Sequence, residues 1–388
     1  MRRYPGLDPP EYVDWRPDPD EVARYRRRLR DDPERARRVA ALDEAGLLAL
    51  YAGLLRTRLI DLMLKRWVRN GILSKAWLGT GEEAVTVGAV HALRRGGPAP
   101  DLVAPMIRNA GACTEMGMPA ADVLRAYLGT ADAPTRGRDV HVGDPRRGVY
   151  APISHVGDMV PVMAGVAWAL RARGDDRVAL TWVGDGATKT GAFHEGFNFA
   201  AVQRAPLVVV LQNNQVALGT RLDQHHAGDF RRWPQMYGVR GLEADGNHVL
   251  DMFAATAQAV EWARAGEGPV LLLAETFRMG GHATHDEREA RQTFPAEWFA
   301  TWGRRDPIGL YEVWLTEQGL PADRLAEVEA AVTAEVEAAA EAALASRATH
   351  PPDPATVADG VTADPAIPAT RPPGPTPNRS ATSCPRAE

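Results

Sequence analysis

The residues most suited to chemistry are an aspartate between glycines and a pair of asparagines. Gly184-Asp185-Gly186-Ala187-Thr188 directly follows the apolar run Val178 to Val183. Glycines at a strand-to-helix turn let backbone amides approach an anion, and the helix N-terminus favours negative charge. A carboxylate inside such a loop should repel phosphate. The contradiction disappears if a hard divalent cation such as Mg²⁺ sits between them, because Mg²⁺ takes oxygen ligands from one or two side chains plus phosphate oxygens. A second oxygen should come from the end of a neighbouring strand, and Leu207 to Gln212 runs into Asn213-Asn214-Gln215. One helix and one strand separate Asp185 from Asn214, so both project from the same sheet edge. Alone, either motif is an ordinary turn or cap. Their combination at this spacing is specific.

The elements that must position these residues follow from hydrophobic patterning. Val178 to Val183, Leu207 to Gln212 and Val270 to Thr276 read as buried strands. Val160 to Arg173, Ala192 to Gln203 and His248 to Arg264 read as helices, the last with Val249, Phe253, Ala257 and Val260 on one face. This alternation predicts an α/β fold, a parallel sheet with helices on both faces, whose ligands bind at the carboxyl ends of the strands. A final helix is expected over Pro321 to Ser346, with Leu325, Val328, Val332 and Val336 on its buried face.

Three regions differ in composition. Residues 1–45 are a charged N-terminal arm, with eight arginines between Glu21 and Ala40 interleaved with acids, as expected of a solvated helix face. Residues 46–345 have the pattern of a globular domain. Residues 346–388 form a proline-rich tail expected to be disordered, with 10 of the 30 prolines falling from Pro351 onward.

The chain has 388 residues, 45% of them hydrophobic, enough for a substantial core. A net charge of −5 gives no global reason to expect nucleic acid. Two cysteines, Cys113 and Cys384, suggest neither a disulfide framework nor a zinc site. The N-terminus lacks the apolar stretch of a secretory signal, and Met159 to Leu170 is too short to cross a bilayer. The expectation is a soluble cytoplasmic protein without a membrane or nucleic-acid partner.

The two motifs together resemble the cofactor motif of thiamine-diphosphate enzymes. Over roughly residues 45 to 345 the chain is similar to the α subunit of the E1 component of pyruvate and branched-chain 2-oxo acid dehydrogenases. The segments that carry this are Gly81-Glu82-Glu83-Ala84, Asp101-Leu102-Val103, Ile107-Arg108-Asn109-Ala110-Gly111, Gly137-Arg138-Asp139-Val140-His141, Ile153-Ser154-His155-Val156-Gly157, Arg278-Met279-Gly280-Gly281-His282 and Asp306-Pro307-Ile308. The resemblance implies a thiamine-diphosphate-binding fold. It implies Mg²⁺ held by Asp185, Asn214 and the Val216 carbonyl, with Gly184, Gly186 and Ala187 along the diphosphate. Arg108 would bind the diphosphate by forked hydrogen bonds. Ser154 and Val156 would grip the aminopyrimidine through backbone atoms. His282, which also lies over the cofactor, and His141 would be the catalytic histidines.

The resemblance further implies oxidative decarboxylation of a 2-oxo acid, pyruvate or branched-chain, with acyl transfer to a lipoyl group on an E2 acyltransferase. The glutamate that activates the cofactor would belong to an E1 β subunit, most simply in an α2β2 heterotetramer. Several positions depart from the family pattern: Ile107, His155, Gln212 and Val216, and Ala283 where mitochondrial relatives carry a phosphorylated serine. His225 and His226, with no third ligand nearby in sequence, read as surface. Other readings are an acetoin dehydrogenase α subunit, a non-catalytic thiamine-diphosphate-binding protein, a one-chain transketolase-like enzyme and a nicotinamide-binding protein. The transketolase-like reading lacks room for a second domain. The nicotinamide reading lacks G-x-G-x-x-G after a strand.

Overall fold

The computed structural model describes residues 1–356 and 358–359. Residues Met1–Pro351 form one compact unit. From Pro352 onward, a single 3₁₀ turn at Pro354–Thr356 is described. Most of the segment expected to be a disordered tail lies outside the described residues, as does Cys384.

Seven strands occur in chain order: β1 Leu102–Ala104, β2 Ala179–Gly184, β3 Leu207–Asn213, β4 Val216–Ala217, β5 Thr220–Arg221, β6 Arg240–Asp245 and β7 Val270–Glu275. Five form a sheet in the order β1-β2-β3-β7-β6, every pairing parallel. The three strands expected from the sequence are its centre. Both edge strands escape apolar-run reading. β1 has only three residues, and β6 (Arg240 to Asp245) is mostly polar with its first half exposed.

Side chains alternate between the sheet's two faces, and both faces are covered. Leu180, Trp182, Val208, Val210 and Leu272 share a core with Met252, Ala255, Ala259 and Ala263 of the helix Val249–Arg264. On the opposite face, Val183, Val209, Leu211 and Leu273 pack against Met163 and Ala167 of the helix Met159–Ala172, and against Phe193 and Phe197 of the helix Gly191–Val202. The buried face of Val249–Arg264 is therefore turned from the expected one. Phe253 and Ala257 are only half-buried, and small alanines face the sheet. An outer layer joins the helix Glu44–Arg69 to Ala322–Thr349, where Leu325, Val332 and Val336 are buried and Val328 partly so.

The arginine-rich N-terminal helices, Pro19–Arg30 and Pro33–Ala40, are a solvated face only in part: Arg26, Arg27, Arg30 and Arg37 are exposed, while the other four turn inward. Arg24 reaches Asp245 Oδ2 at 2.6 Å, and Arg28 reaches Asp251 Oδ2 at 2.7 Å. Arg35, 6% exposed, also pairs with Asp251. Their partners lie more than two hundred residues downstream, so the local mixture of charges gave no sign of them.

Candidate functional site

The carboxyl edge of the sheet gathers the chemically competent residues, as strand direction requires of a parallel α/β fold. Arg108 follows β1, Asp185 follows β2, Asn214 follows β3, and the loop carrying Arg278 and His282 follows β7. Gly186 is where backbone freedom matters. A Cβ there would lie 2.3 Å from the Ala217 Cβ, so only glycine lets the β4–β5 hairpin close over the loop. Gln215 and Leu218 on that hairpin have φ of 71° and 56°, left-handed values uncommon outside glycine. The Leu218 carbonyl accepts a 2.7 Å bond from Arg278, which ties the hairpin to the loop after β7.

The polar groups at this edge are buried, and several lack partners. Asp185 is 1% exposed, and its Oδ2 has no hydrogen bond. Burial raises its carboxyl above the ordinary range, and the nearby His225 and Arg108 oppose this. Asn214 donates from Nδ2 to Glu82 Oε1 at 2.8 Å, while its Oδ1 receives only a long 3.4 Å bond from the Val216 amide. Val216 pairs with Arg221, and the Leu222 amide donates to the Gln215 carbonyl. In antiparallel alternation Val216 therefore sits at a non-hydrogen-bonded position, and its carbonyl points off the ladder. A carboxylate oxygen, an amide oxygen and a backbone carbonyl are the donor set that a hard divalent cation takes.

Positive charge collects beside them. Arg108 Nε is buried without a hydrogen bond, 3.6 Å from Glu82 Oε2. Arg278 is 1% exposed. Its guanidinium is pushed down to about 10, first by burial and then by Arg108. His282 is pushed down to about 4 by burial, then by Arg108 and Arg278. Its imidazole is therefore neutral near pH 7. Uncompensated cations around an unbonded guanidinium nitrogen suit an anionic ligand such as a diphosphate.

Next to this edge lies a cleft of about 260 Å³ lined by Trp77, Met106, Arg108, His141, Val160 and His282, with Ser154, His155 and Val156 on its exposed rim. His141 Nδ1 lies 2.7 Å from Asp139 Oδ1, and its Nε2 lies 3.3 Å from Ser154 Oγ. Donation from Nδ1 to Asp139 leaves Nε2 as the acceptor for the Ser154 hydroxyl, so Asp139 sets the tautomer.

A sequence model of the dehydrogenase E1 component family matches residues 53–352. The chain belongs to that family. Among its E1 relatives, the 3-methyl-2-oxobutanoate dehydrogenase subunit alpha of Mycobacterium tuberculosis is 34% identical over 289 residues, 74% of this chain and 75% of the relative. The pyruvate dehydrogenase E1 component subunit alpha of Rhizobium meliloti is 33% identical over 242 residues, 62% and 68% of the two chains. The 2-oxoisovalerate dehydrogenase subunit alpha of Bacillus subtilis is 31% identical over 280 residues, 71% and 83%. The protein is a 2-oxo acid dehydrogenase E1 α subunit with the α/β architecture that the resemblance implied. Its family uses thiamine diphosphate.

Within this E1 framework the structure gives contacts to residues that the sequence reading named without a place in the site. Glu82 is 1% exposed and joins Asn214, Gln212 and Arg108. The signal was two consecutive acids, Glu82-Glu83, in an otherwise apolar segment. Gln212 lies buried inside this network, donating to Glu82 and accepting from Asn109 Nδ2 at 3.0 Å. The surface reading of His225 and His226 is overturned. His225 is 12% exposed, with Nε2 3.2 Å from Asp185 Oδ2, and His226 stacks on Phe230 at 3.8 Å. Their partners come from other loops, which neighbours in sequence do not reveal. Among the described residues no helix is long and apolar enough to cross a membrane.

Proposed function

We propose that this chain anchors the diphosphate of thiamine diphosphate through Mg²⁺ and supplies half of an active site completed by an E1 β subunit. The observation that carries this reading is the convergence of unpartnered buried groups at one sheet edge: Asp185 Oδ2 and Arg108 Nε, beside the loosely held Asn214 Oδ1. Asp185, Asn214 and the Val216 carbonyl would hold the cation. Arg108, His282 and the backbone of Gly184, Gly186 and Ala187 would face the diphosphate. Ser154 and Val156 would meet the aminopyrimidine.

When bound, thiamine diphosphate supplies the carbon nucleophile and the electron sink for decarboxylation. The chain's own groups then have three tasks. Arg108 and Arg278 offset phosphate charge in a buried site where that charge is expensive. His282, neutral at working pH, can give or take a proton at a nitrogen facing the cleft. His141, its tautomer fixed by Asp139, presents Nε2 through Ser154 toward the incoming substrate.

The apolar lining from Trp77, Met106 and Val160 suits a branched-chain 2-oxo acid, the substrate class in the names of the Mycobacterium tuberculosis and Bacillus subtilis relatives. Ile153 and Val156, 42% and 61% exposed on the rim, offer apolar surface for the β subunit in a cytoplasmic α2β2 assembly, and the acyl group would leave on an E2 lipoyl domain. The test is co-expression with a β-type partner, followed by decarboxylation of pyruvate and 3-methyl-2-oxobutanoate with and without thiamine diphosphate and Mg²⁺. Preferential turnover of the branched acid, absent for either chain alone, is expected. Full turnover by the isolated chain would sink the half-site reading, and a preference for pyruvate would sink the substrate assignment.

A further inference from the structure

His225 ends the short helix Leu222–His225 that follows the β4–β5 hairpin. Its Nε2 faces Asp185 Oδ2 at 3.2 Å, yet neither atom has a hydrogen bond, and the imidazole Nδ1 is buried and unbonded as well. Leaving a buried polar atom unpaired costs about 1–3 kcal/mol. Several such atoms meeting at one point indicate a shared partner. Lys189, four residues past Asp185, is not that partner. Its ammonium lies 2.7 Å from His226 Nδ1 and over the rings of Phe230 and Trp233.

The spacing identifies the partner's chemistry. Adjacent ligands at about 2.1 Å from an octahedral divalent cation stand roughly 3 Å apart. Asp185 Oδ2 and His225 Nε2 match this separation, whereas their orientation fails as a hydrogen bond. We propose that His225 is a nitrogen ligand of the cation held by Asp185, and that it tilts the site toward a transition-metal divalent ion such as Mn²⁺ over Mg²⁺. This rests on the reading of Asp185 as the cation anchor. Mg²⁺ prefers oxygen and surrenders water reluctantly, while Mn²⁺ and its neighbours accept imidazole.

The test uses the untagged full chain co-purified with its partner subunit, stripped of metal, then loaded with Mn²⁺ and thiamine diphosphate. The diphosphate offers the ion only oxygens, so pulsed electron paramagnetic resonance should detect a directly bound imidazole nitrogen that comes from protein. That coupling is expected in the wild type and lost in His225→Ala and His225→Gln. The ratio of Mn²⁺ to Mg²⁺ affinity should fall roughly tenfold in both. His225→Gln keeps a polar side chain of similar reach and carries the assignment if His225→Ala fails to fold. Asp185-dependent Mn²⁺ binding without nitrogen coupling overturns the inference and leaves the anchor standing. Mn²⁺ binding that survives Asp185→Ala overturns the anchor and the inference together.

Discussion

Two buried polar clusters in this chain are built in opposite ways. Around Arg58 each guanidinium nitrogen meets a carboxylate: Nε pairs with Glu83, NH1 with Asp8 at 3.4 Å and NH2 with Asp306 at 3.1 Å, all four side chains being fully buried. The Tyr12 ring covers the guanidinium at 4.7 Å. Around Asp185 the composition is similar, with a carboxylate, a second acid in Glu82, two arginines and two histidines, but several hydrogen bonds are missing. The first cluster is closed by its own chain and joins the N-terminus, the helix Glu44–Arg69 and the helix Pro307–Glu317. The second is left open at the sheet edge. Burial alone does not mark a site. Nor does a single unmet bond, since the Tyr12 hydroxyl and Asp306 Oδ2 beside Arg58 also lack one; unmet bonding capacity gathered at an open sheet edge does.

The contrast predicts a split between stability and binding. Arg58→Met should destabilise the fold by about 3–5 kcal/mol, because three carboxylates lose their cation in a dry interior. Urea unfolding measures this, and a loss under about 1 kcal/mol would show that the cluster is not structural. Asp185→Ala should do the reverse. Its thermal midpoint without cofactor should stay level or rise, since a desolvated carboxylate is removed, while Mg²⁺-dependent thiamine diphosphate affinity falls about 100-fold or more. Calorimetric titration of the cofactor reads the second half. Unchanged affinity would move the anchor elsewhere.

A third test uses pH. His248 is fully buried, stacked on Tyr25 at 3.3 Å, and is pushed down to about 4, chiefly by burial. The unfolded chain then takes up the proton more readily than the folded one. The stability that neutral His248 contributes is intact above pH ~6.5 and is lost as pH falls toward 4. The expected loss across that window is on the order of 2–3 kcal/mol. In His248→Asn the pH slope of urea midpoints should be visibly flatter, and an unaltered slope would assign the acid sensitivity to other groups. The smallest effect concerns Val216. If its carbonyl is the ligand, Val216→Ala should cost about 1 kcal/mol of packing while metal affinity stays within roughly twofold. A large affinity loss with intact folding would mean that the side chain matters.

What the sequence disclosed follows the same division. The central strands, the helices between them and the Asp185–Asn214 pair are local patterns, and apolar runs ending in turn residues reveal them. Short β1 and polar β6 carry no such pattern. Nor do partners that meet across loops: Glu82 with Asn214, His225 with Asp185, Arg35 with Asp251. Each joins segments remote in sequence, so the residue types were visible while the pairing was not. The resemblance to E1 α subunits pointed to Arg108 and His282, which the fold brings to the edge that holds Asp185. It said nothing of His225.

The N-terminal arginine pairs have a consequence for how the molecule is made. Arg24 and Arg28 find their acids 221 and 223 residues further along the chain. During synthesis these helices emerge well before their counter-charges, which appear only when most of the sheet has been made. Contacts of such span carry a high ordering cost and tend to form late. Helices made well before their partners are therefore late to dock. Until Asp245 and Asp251 arrive, Arg24, Arg28 and Arg35 lack the distant acids they pair with in the folded chain, and a truncated messenger that stops before β6 would release a product with those two helices undocked.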